Sequence, residues 1–181
     1  MRPRLYSSSS SQLRRVDHIW ACVDASLLRT DHIQPVALDE LITGSDYLTI
    51  QAPLTADTYH LFDDATLARM KPTAILINTA RGPIVEDAAL DRALRQGTIA
   101  AAAIDDLEEE PAKQGAWQPT NPLLQLPNVI VTPHAAYYSE QSISLVRRIA
   151  AEEAVRVLRG LAPLSPVNTV EARSQAATSP W

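Results

Sequence analysis

The sequence predicts an α/β domain on a doubly wound parallel sheet, and three stretches carry that expectation. Ala74-Ile-Leu-Ile-Asn-Thr-Ala-Arg-Gly82, the acidic run Asp105-Asp-Leu-Glu-Glu-Glu-Pro111 after a small-sided strand, and Thr132-Pro-His134 each put a polar or ionisable residue at the end of an apolar strand: Arg81, Glu110 and His134. Short buried strands alternating with helical patterns imply right-handed crossovers and a parallel sheet. Ligands of such sheets sit outside the carboxyl ends of the strands, so the three side chains gather at one crevice. An arginine, a carboxylate and a histidine there make an anion clamp with an acid/base pair.

Taken in order, residues 1–16 are rich in Arg and Ser and free of acids until Asp17, and read as a disordered leader. A transit peptide would share that composition. Residues 17–168 form the domain and residues 169–181 a flexible tail. His18 to Asp24 is a short apolar strand ending in an acid, and Leu38 to Ile42 a short helix before Gly44. Tyr47 to Ala52 is a second strand, stopped by Pro53, which cannot donate to a ladder. A helix around Asp64 to Met70 ends at Lys71-Pro72, and the strand Ala74 to Thr79 follows. From Val85 to Gln96 the positions Val85, Ala88, Ala89, Leu90, Ala93 and Leu94 recur with helical spacing, with Gly97 as the stop. Thr98 to Ile104 is a strand with four consecutive alanines, whose small side chains let helices pack closely. Asn128 to Thr132 is the fifth strand, and Ser139 to Arg159 a long amphipathic helix ended by Gly160.

The 181 residues, 46% hydrophobic, are enough for one domain with a real core. A net charge of −5 without a long basic run argues against a nucleic-acid footprint. An anionic ligand must then be attracted locally, by Arg81. The single cysteine, Cys22, suits a reducing compartment such as the cytoplasm and reads as a small buried hydrophobe. No apolar run approaches the roughly 20 residues that span a bilayer.

The segments INTARGPIVEDAALDRALRQGTIAAAAIDDLEEEP and NPLLQLPNVIVTPHAAYYSEQS resemble the nucleotide-binding domain of the D-isomer-specific 2-hydroxyacid dehydrogenases. The resemblance runs from about Leu38 to Asn168. The run His134-Ala-Ala-Tyr-Tyr-Ser-Glu-Gln141 is closer to the branch containing the C-terminal-binding-protein corepressors than to the phosphoglycerate dehydrogenases. It implies a Rossmann-like fold and NAD-linked hydride transfer between a 2-hydroxy acid and its 2-oxo acid, with no metal.

The same resemblance assigns roles. Arg81 takes the substrate carboxylate, for which its planar fork suits two hydrogen bonds; the alternative for an arginine at a strand end is a structural ion pair. His134 is the acid/base, and an imidazole titrating at about 6.5 suits proton exchange with the 2-oxo oxygen. Glu110 pairs with His134, and Asp105 meets the nicotinamide carboxamide. Asp106 and Leu107 stand where the family has a valine and an aromatic. Asp24 is positioned for the adenosine ribose or for a helix cap. Pro53 and Thr58 match a loop along the cofactor, Thr79 and Ala80 touch it through backbone, and Tyr137 walls the substrate pocket or packs in the core. His18, His32 and His60 read as surface or core residues.

The five glycines, Gly44, Gly82, Gly97, Gly115 and Gly160, supply no G-x-G-x-x-G turn. The expected sheet is therefore incomplete, lacking the Gly-rich first βαβ unit and its middle strand, as in a truncated dehydrogenase with weak or no activity alone. A homodimer or self-association through uncovered apolar surface is expected. The competing readings are an NAD-sensing or corepressor-like interaction module and a non-functional remnant.

Overall fold

The computed structural model describes residues 4–8, 16–20, 33–109 and 120–166. Within them the strands are β1 (Arg4–Ser8), β2 (Val16–Trp20), β3 (Ile33–Val36), β4 (Tyr47–Gln51), β5 (Ile75–Asn78), β6 (Ala101–Ile104) and β7 (Val129–Val131). The helices are α1 (Leu38–Gly44), α2 (Asp64–Leu67), α3 (Asp87–Gln96) and α4 (Glu140–Leu158). The strands form one sheet in the order β3-β1-β2-β4-β5-β6-β7, with β2 and β4 to β7 parallel.

In β4 the consecutive residues Leu48, Thr49 and Ile50 are all buried, as expected of a parallel strand covered on both faces. Leu48, Ile50, Leu76, Phe62, Ile84 and Leu90 belong to one apolar core. α3 contributes Ala89, Leu90, Ala93 and Leu94 to it and ends at Gly97, whose φ of +70° closes the helix in the left-handed region. Ala88, counted with that apolar face from its spacing, is exposed. Asp63 caps α2 by accepting the Thr66 N–H at 2.8 Å.

Three expectations are corrected. Arg4–Ser8, placed in a disordered leader, is strand β1, antiparallel to both β2 and β3. Serines have little strand preference of their own, and what orders this segment is the backbone ladder it completes on two sides. The strand expected from His18 to Asp24 begins earlier, as β2 at Val16–Trp20, and residues 21–24 fall outside the described ones. The sheet also has no gap beside β4: β2 pairs with it along five positions, from Val16 opposite Tyr47 to Trp20 opposite Gln51. An unpaired edge on a buried strand leaves its N–H and C=O groups without partners, and this pairing satisfies them.

The chain divides into two units, residues 1–136 and 137–181. The second is α4 and its flanks. Ser139 and Ser142 form a reciprocal capping box at the helix start, both hydrogen bonds at 3.0 Å, and Gly160 at φ +74° follows its end. None of the α4 residues is buried. No described helix is long and apolar enough to cross a membrane.

Gly82 begins a 3-10 turn after β5 and lies so close to the next crossover that an added Cβ would stand 2.1 Å from the Leu107 carbonyl oxygen. Backbone atoms cannot yield as a side-chain tip can. Gly82→Ala is expected to cost about 3 kcal/mol or more of stability, as overpacking against rigid backbone does. Gly97→Ala, with open space around the new methyl, should cost only about 1 kcal/mol for its left-handed backbone. Urea unfolding of the two variants checks this; equal losses would show that the Gly82 contact is not tight.

Candidate functional site

The parallel ladders place Ile50, Asn78, Ile104 and Val131 in one register row at the carboxyl edge of the sheet. Asp105 follows that row directly, while Arg81 and His134 each lie three residues beyond it. The chemistry-bearing residues thus leave adjacent strands at the same edge.

The segment after β7 is held by Asp105. Its carboxylate accepts the Thr132 hydroxyl, the Ala135 N–H at 2.9 Å and the Ala136 N–H at 2.8 Å, and its backbone carbonyl accepts the His134 N–H at 2.6 Å. This grip keeps His134 at φ +52°, a left-handed conformation that costs a non-glycine residue energy unless its surroundings enforce it. Burial alone would raise the Asp105 carboxyl. The Thr132 hydroxyl, the Ala136 and Ala135 N–H groups and the nearby His134 outweigh it and leave the pKa lowered. Asp105, assigned to the nicotinamide carboxamide, is in this structure 3% exposed with both oxygens engaged by the chain itself.

Asn78, fully buried at the end of β5, shapes the other arm. Its amide donates to the Arg81 carbonyl at 2.8 Å and its carbonyl oxygen accepts the Ala80 N–H at 3.0 Å, folding Thr79 and Ala80 into a tight corner. Thr79 accepts the Gln51 side-chain amide at 2.9 Å. Arg81 is exposed. Its guanidinium donates to the Ala80 carbonyl at 2.6 Å and makes no ion pair with a carboxylate among the described residues, so the structural ion-pair alternative is not what the fold shows.

Between the two arms stands Asp106. One oxygen accepts the Gly82 N–H at 3.3 Å and lies 3.8 Å from His134 Nδ1. The residue next to Arg81 and the His134 ring therefore share one carboxylate.

Around this edge Thr58 is buried and turned inward, donating its hydroxyl to the Pro53 carbonyl at 2.7 Å and accepting the Thr55 N–H at 2.8 Å. It shapes the loop after β4. His60, given a bland reading from sequence, pairs with Glu108 at 2.6 Å, adopts φ +50° and stacks on Tyr59. Glu108 also accepts the Asp87 N–H at 3.2 Å, and Asp87 accepts the Asn121 amide at 2.7 Å. Burial, the largest cause, raises the Asp87 carboxyl in spite of the hydrogen bonds from Asn121 and Glu108. Nothing in the local pattern marks His60 and Glu108, 48 residues apart, as partners. Glu110 and Asp24 lie outside the described residues, and Tyr137 belongs to the second unit, where its carbonyl accepts the Ser142 hydroxyl at 2.5 Å.

The geometry supplies an anion-ready guanidinium and a constrained imidazole next to carboxylates at one sheet edge. Comparison with known proteins gives the family. Residues 20–136 match the family model described as the D-isomer specific 2-hydroxyacid dehydrogenase, NAD binding domain. The chain belongs to this family. It is 41% identical over 136 residues to the glyoxylate reductase of Korarchaeum cryptofilum, covering 75% of this chain and 40% of that protein. It is 42% identical to the D-3-phosphoglycerate dehydrogenase of Methanocaldococcus jannaschii, over 68% of this chain and 22% of that one. The NAD-complexed crystal structure of the family member from Lactobacillus delbrueckii ssp. bulgaricus superimposes with a TM-score of 0.67 at 33% identity, over 73% of this chain and 43% of that one. The chain thus spans less than half the length of these relatives.

Because the folded Asp105 pKa is lowered, its contribution to stability is in place above the free-carboxylate value of about 4 and is lost as pH falls through the lowered folded value. Asp105→Asn leaves at least one donor without an acceptor and is expected to cost about 2 kcal/mol or more at pH 7. The gap from the unaltered chain should close as the pH is taken well below 4. A gap in urea-derived stability that stays constant with pH would show that the Asp105 charge does not hold the turn.

Proposed function

We propose that the chain carries the chemical step of an NAD-linked D-2-hydroxyacid dehydrogenase. The observation that supports this most directly is the placing, at one sheet edge, of an exposed Arg81 guanidinium without a carboxylate partner among the described residues and a His134 whose backbone is held by the Asp105 turn. Arg81 binds the carboxylate of a small 2-oxo or 2-hydroxy acid through its fork, which orients the neighbouring carbon. His134 gives a proton to the 2-oxo oxygen in reduction and takes it back in oxidation. Glu110, by its place in the family motif, is a second carboxylate for His134. NAD, when bound, supplies or accepts the hydride.

The fit to NAD is divided. The corner at Thr79 and Ala80 and the loop from Pro53 to Thr58 follow β5 and β4 at the carboxyl edge and would hold the nicotinamide end, and Asp24 is assigned the ribose by its place in the sequence. The pyrophosphate end does not fit: among the described residues the close glycine approach at Gly82 is to the Leu107 backbone, and the five glycines of the sequence include no pair spaced for a phosphate turn. The alternative reading, an NAD-sensing or protein-interaction module, draws support from α4, whose Val146, Ile149 and Leu158 are exposed within their own unit. Exposed apolar side chains of this kind also favour a homodimer. Cys22 as the one thiol fits a cytoplasmic protein.

Calorimetric titration of the chain with NADH should give only weak binding. A micromolar or tighter dissociation constant would defeat this and favour the sensor reading. Fused behind the N-terminal half of an active relative, the chain should reduce 2-oxo acids in a His134-dependent manner. His134→Gln removes the transferable proton and should lower kcat by about 10²–10⁴-fold. Arg81→Lys should chiefly raise KM, because a point charge cannot replace the fork. Equal turnover by the fusion with and without His134→Gln would remove the acid/base assignment.

A further inference from the structure

α4 is 19 residues long and buries none of them, yet its apolar residues are not scattered. At about 100° per residue, Ile143, Val146, Ala150, Ala154 and Val157 fall on one face that runs along most of the helix. Val146 and Val157 are 60% and 54% exposed. A second apolar row, through Leu145 and Ile149, is closed after those two residues by Glu152 and Arg156. The first face is therefore the longer of the two, and a continuous apolar helix face open to water calls for a partner.

The charges beside that face say which partner. Arg147 and Glu153 stand three residues before and three residues after Ala150, which puts them on opposite edges of the face, about 60° to either side of its centre. Arg147 is exposed and meets no acceptor among the described residues. Glu153 accepts the Leu164 N–H at 2.9 Å with one oxygen and has the other free. The other charges around the middle of the helix are matched within the unit. Arg148 pairs with Glu152 at 3.5 Å on the opposite face, and the Arg156 guanidinium donates to the Ala162 carbonyl.

We infer that this face of α4 binds the same face of a second copy of the chain, with the two helices parallel. Under a two-fold axis along the helices, the edge that carries Arg147 lies beside the partner's edge that carries Glu153. The reverse holds on the other side, so the apolar seam is flanked by two ion pairs. An antiparallel pairing brings like edges together, Arg147 beside Arg147 and Glu153 beside Glu153. The flanking charges thus select both the partner and the direction. Ala150 and Ala154, in the middle of the seam, let the two axes approach closely enough for those side chains to meet. The inference rests on the homodimer reading, to which it gives a seam, and not on the dehydrogenase chemistry.

Sedimentation of the whole chain over a dilution series should show a monomer–dimer equilibrium. Arg147→Glu and Glu153→Arg should each raise its dissociation constant by roughly tenfold, because two exposed ion pairs per dimer become like-charge contacts, and the double exchange should restore it. Leu145→Gln, off the seam, should leave it unchanged. Cross-linking in a Cys22→Ser background, which removes the one native thiol, reads the direction. Ile143→Cys alone and Val157→Cys alone should each give a disulfide-linked dimer, whereas an antiparallel pair links only a mixture of the two. Cross-links confined to that mixture overturn the inference. So does a monomer at every concentration whose amide spectra show α4 intact, which would leave the face to a different partner. A dimer indifferent to both charge reversals would keep the homodimer reading and remove this seam.

Discussion

The carboxylate of Asp105, accepting one hydroxyl and two backbone N–H groups from the five residues after β7, fixes the carboxyl edge of this sheet. A turn holding a histidine at φ +52° does not persist on its own preferences. It persists here because one rigid acceptor, seated on the neighbouring strand, engages the N–H groups just beyond that histidine while the Asp105 carbonyl takes the N–H of the histidine itself. The ladder continues the same grip, for the Thr132 N–H donates to the Ile104 carbonyl at 2.9 Å and the Asp105 N–H to the Asn78 carbonyl at 2.9 Å. Backbone order in three strands is thereby converted into the orientation of one side chain, the kind of support a reacting group needs.

The neighbouring elements repeat the device at a second histidine. His60 is also left-handed, gives its N–H to the Pro83 carbonyl at 2.9 Å and pairs with Glu108 through its ring. Glu108 reaches in turn to the start of α3 through Asp87, and Asp87 to Asn121. The two acids at the heart of these clusters are pushed in opposite directions, Asp105 down and Asp87 up. The difference lies in donors: Asp105 has three aimed at it together with His134, whereas Asp87, facing Glu108 and Glu109, does not recover what burial takes.

How much of this could be read from the residues depends on range. Local rules located α4 to within a residue at each end, because Ser139 and Gly160 are caps that act on the nearest turn. The same rules found β4, β5 and β7, whose β-branched and leucine runs end at polar residues. They placed Arg81 and His134 at one sheet edge because a parallel sheet forces strand ends together. They failed where the structure is decided by partners distant in sequence. β1 exists through its two ladders, and neither its serines nor its arginine predict it. The three donors to the Asp105 carboxylate lie 27 to 31 residues away, beyond any local pattern. Asp106 was noted only as a departure from valine, and its proximity to His134 is purely tertiary.

The close seating of Gly82 against Leu107 bears on how such a chain can change length. Side-chain direction alternates along extended backbone, so one residue gained or lost just after Ile104 turns Asp105 away from the turn it holds. The same step slides Leu107 off the one position where Gly82 has room for it. Insertions here cannot be absorbed as they are in ordinary surface loops, because two tight contacts on different strands are counted from the same starting residue. Variation in length across this stretch would therefore be expected only as paired changes, in the crossover and in the turn after β5 together.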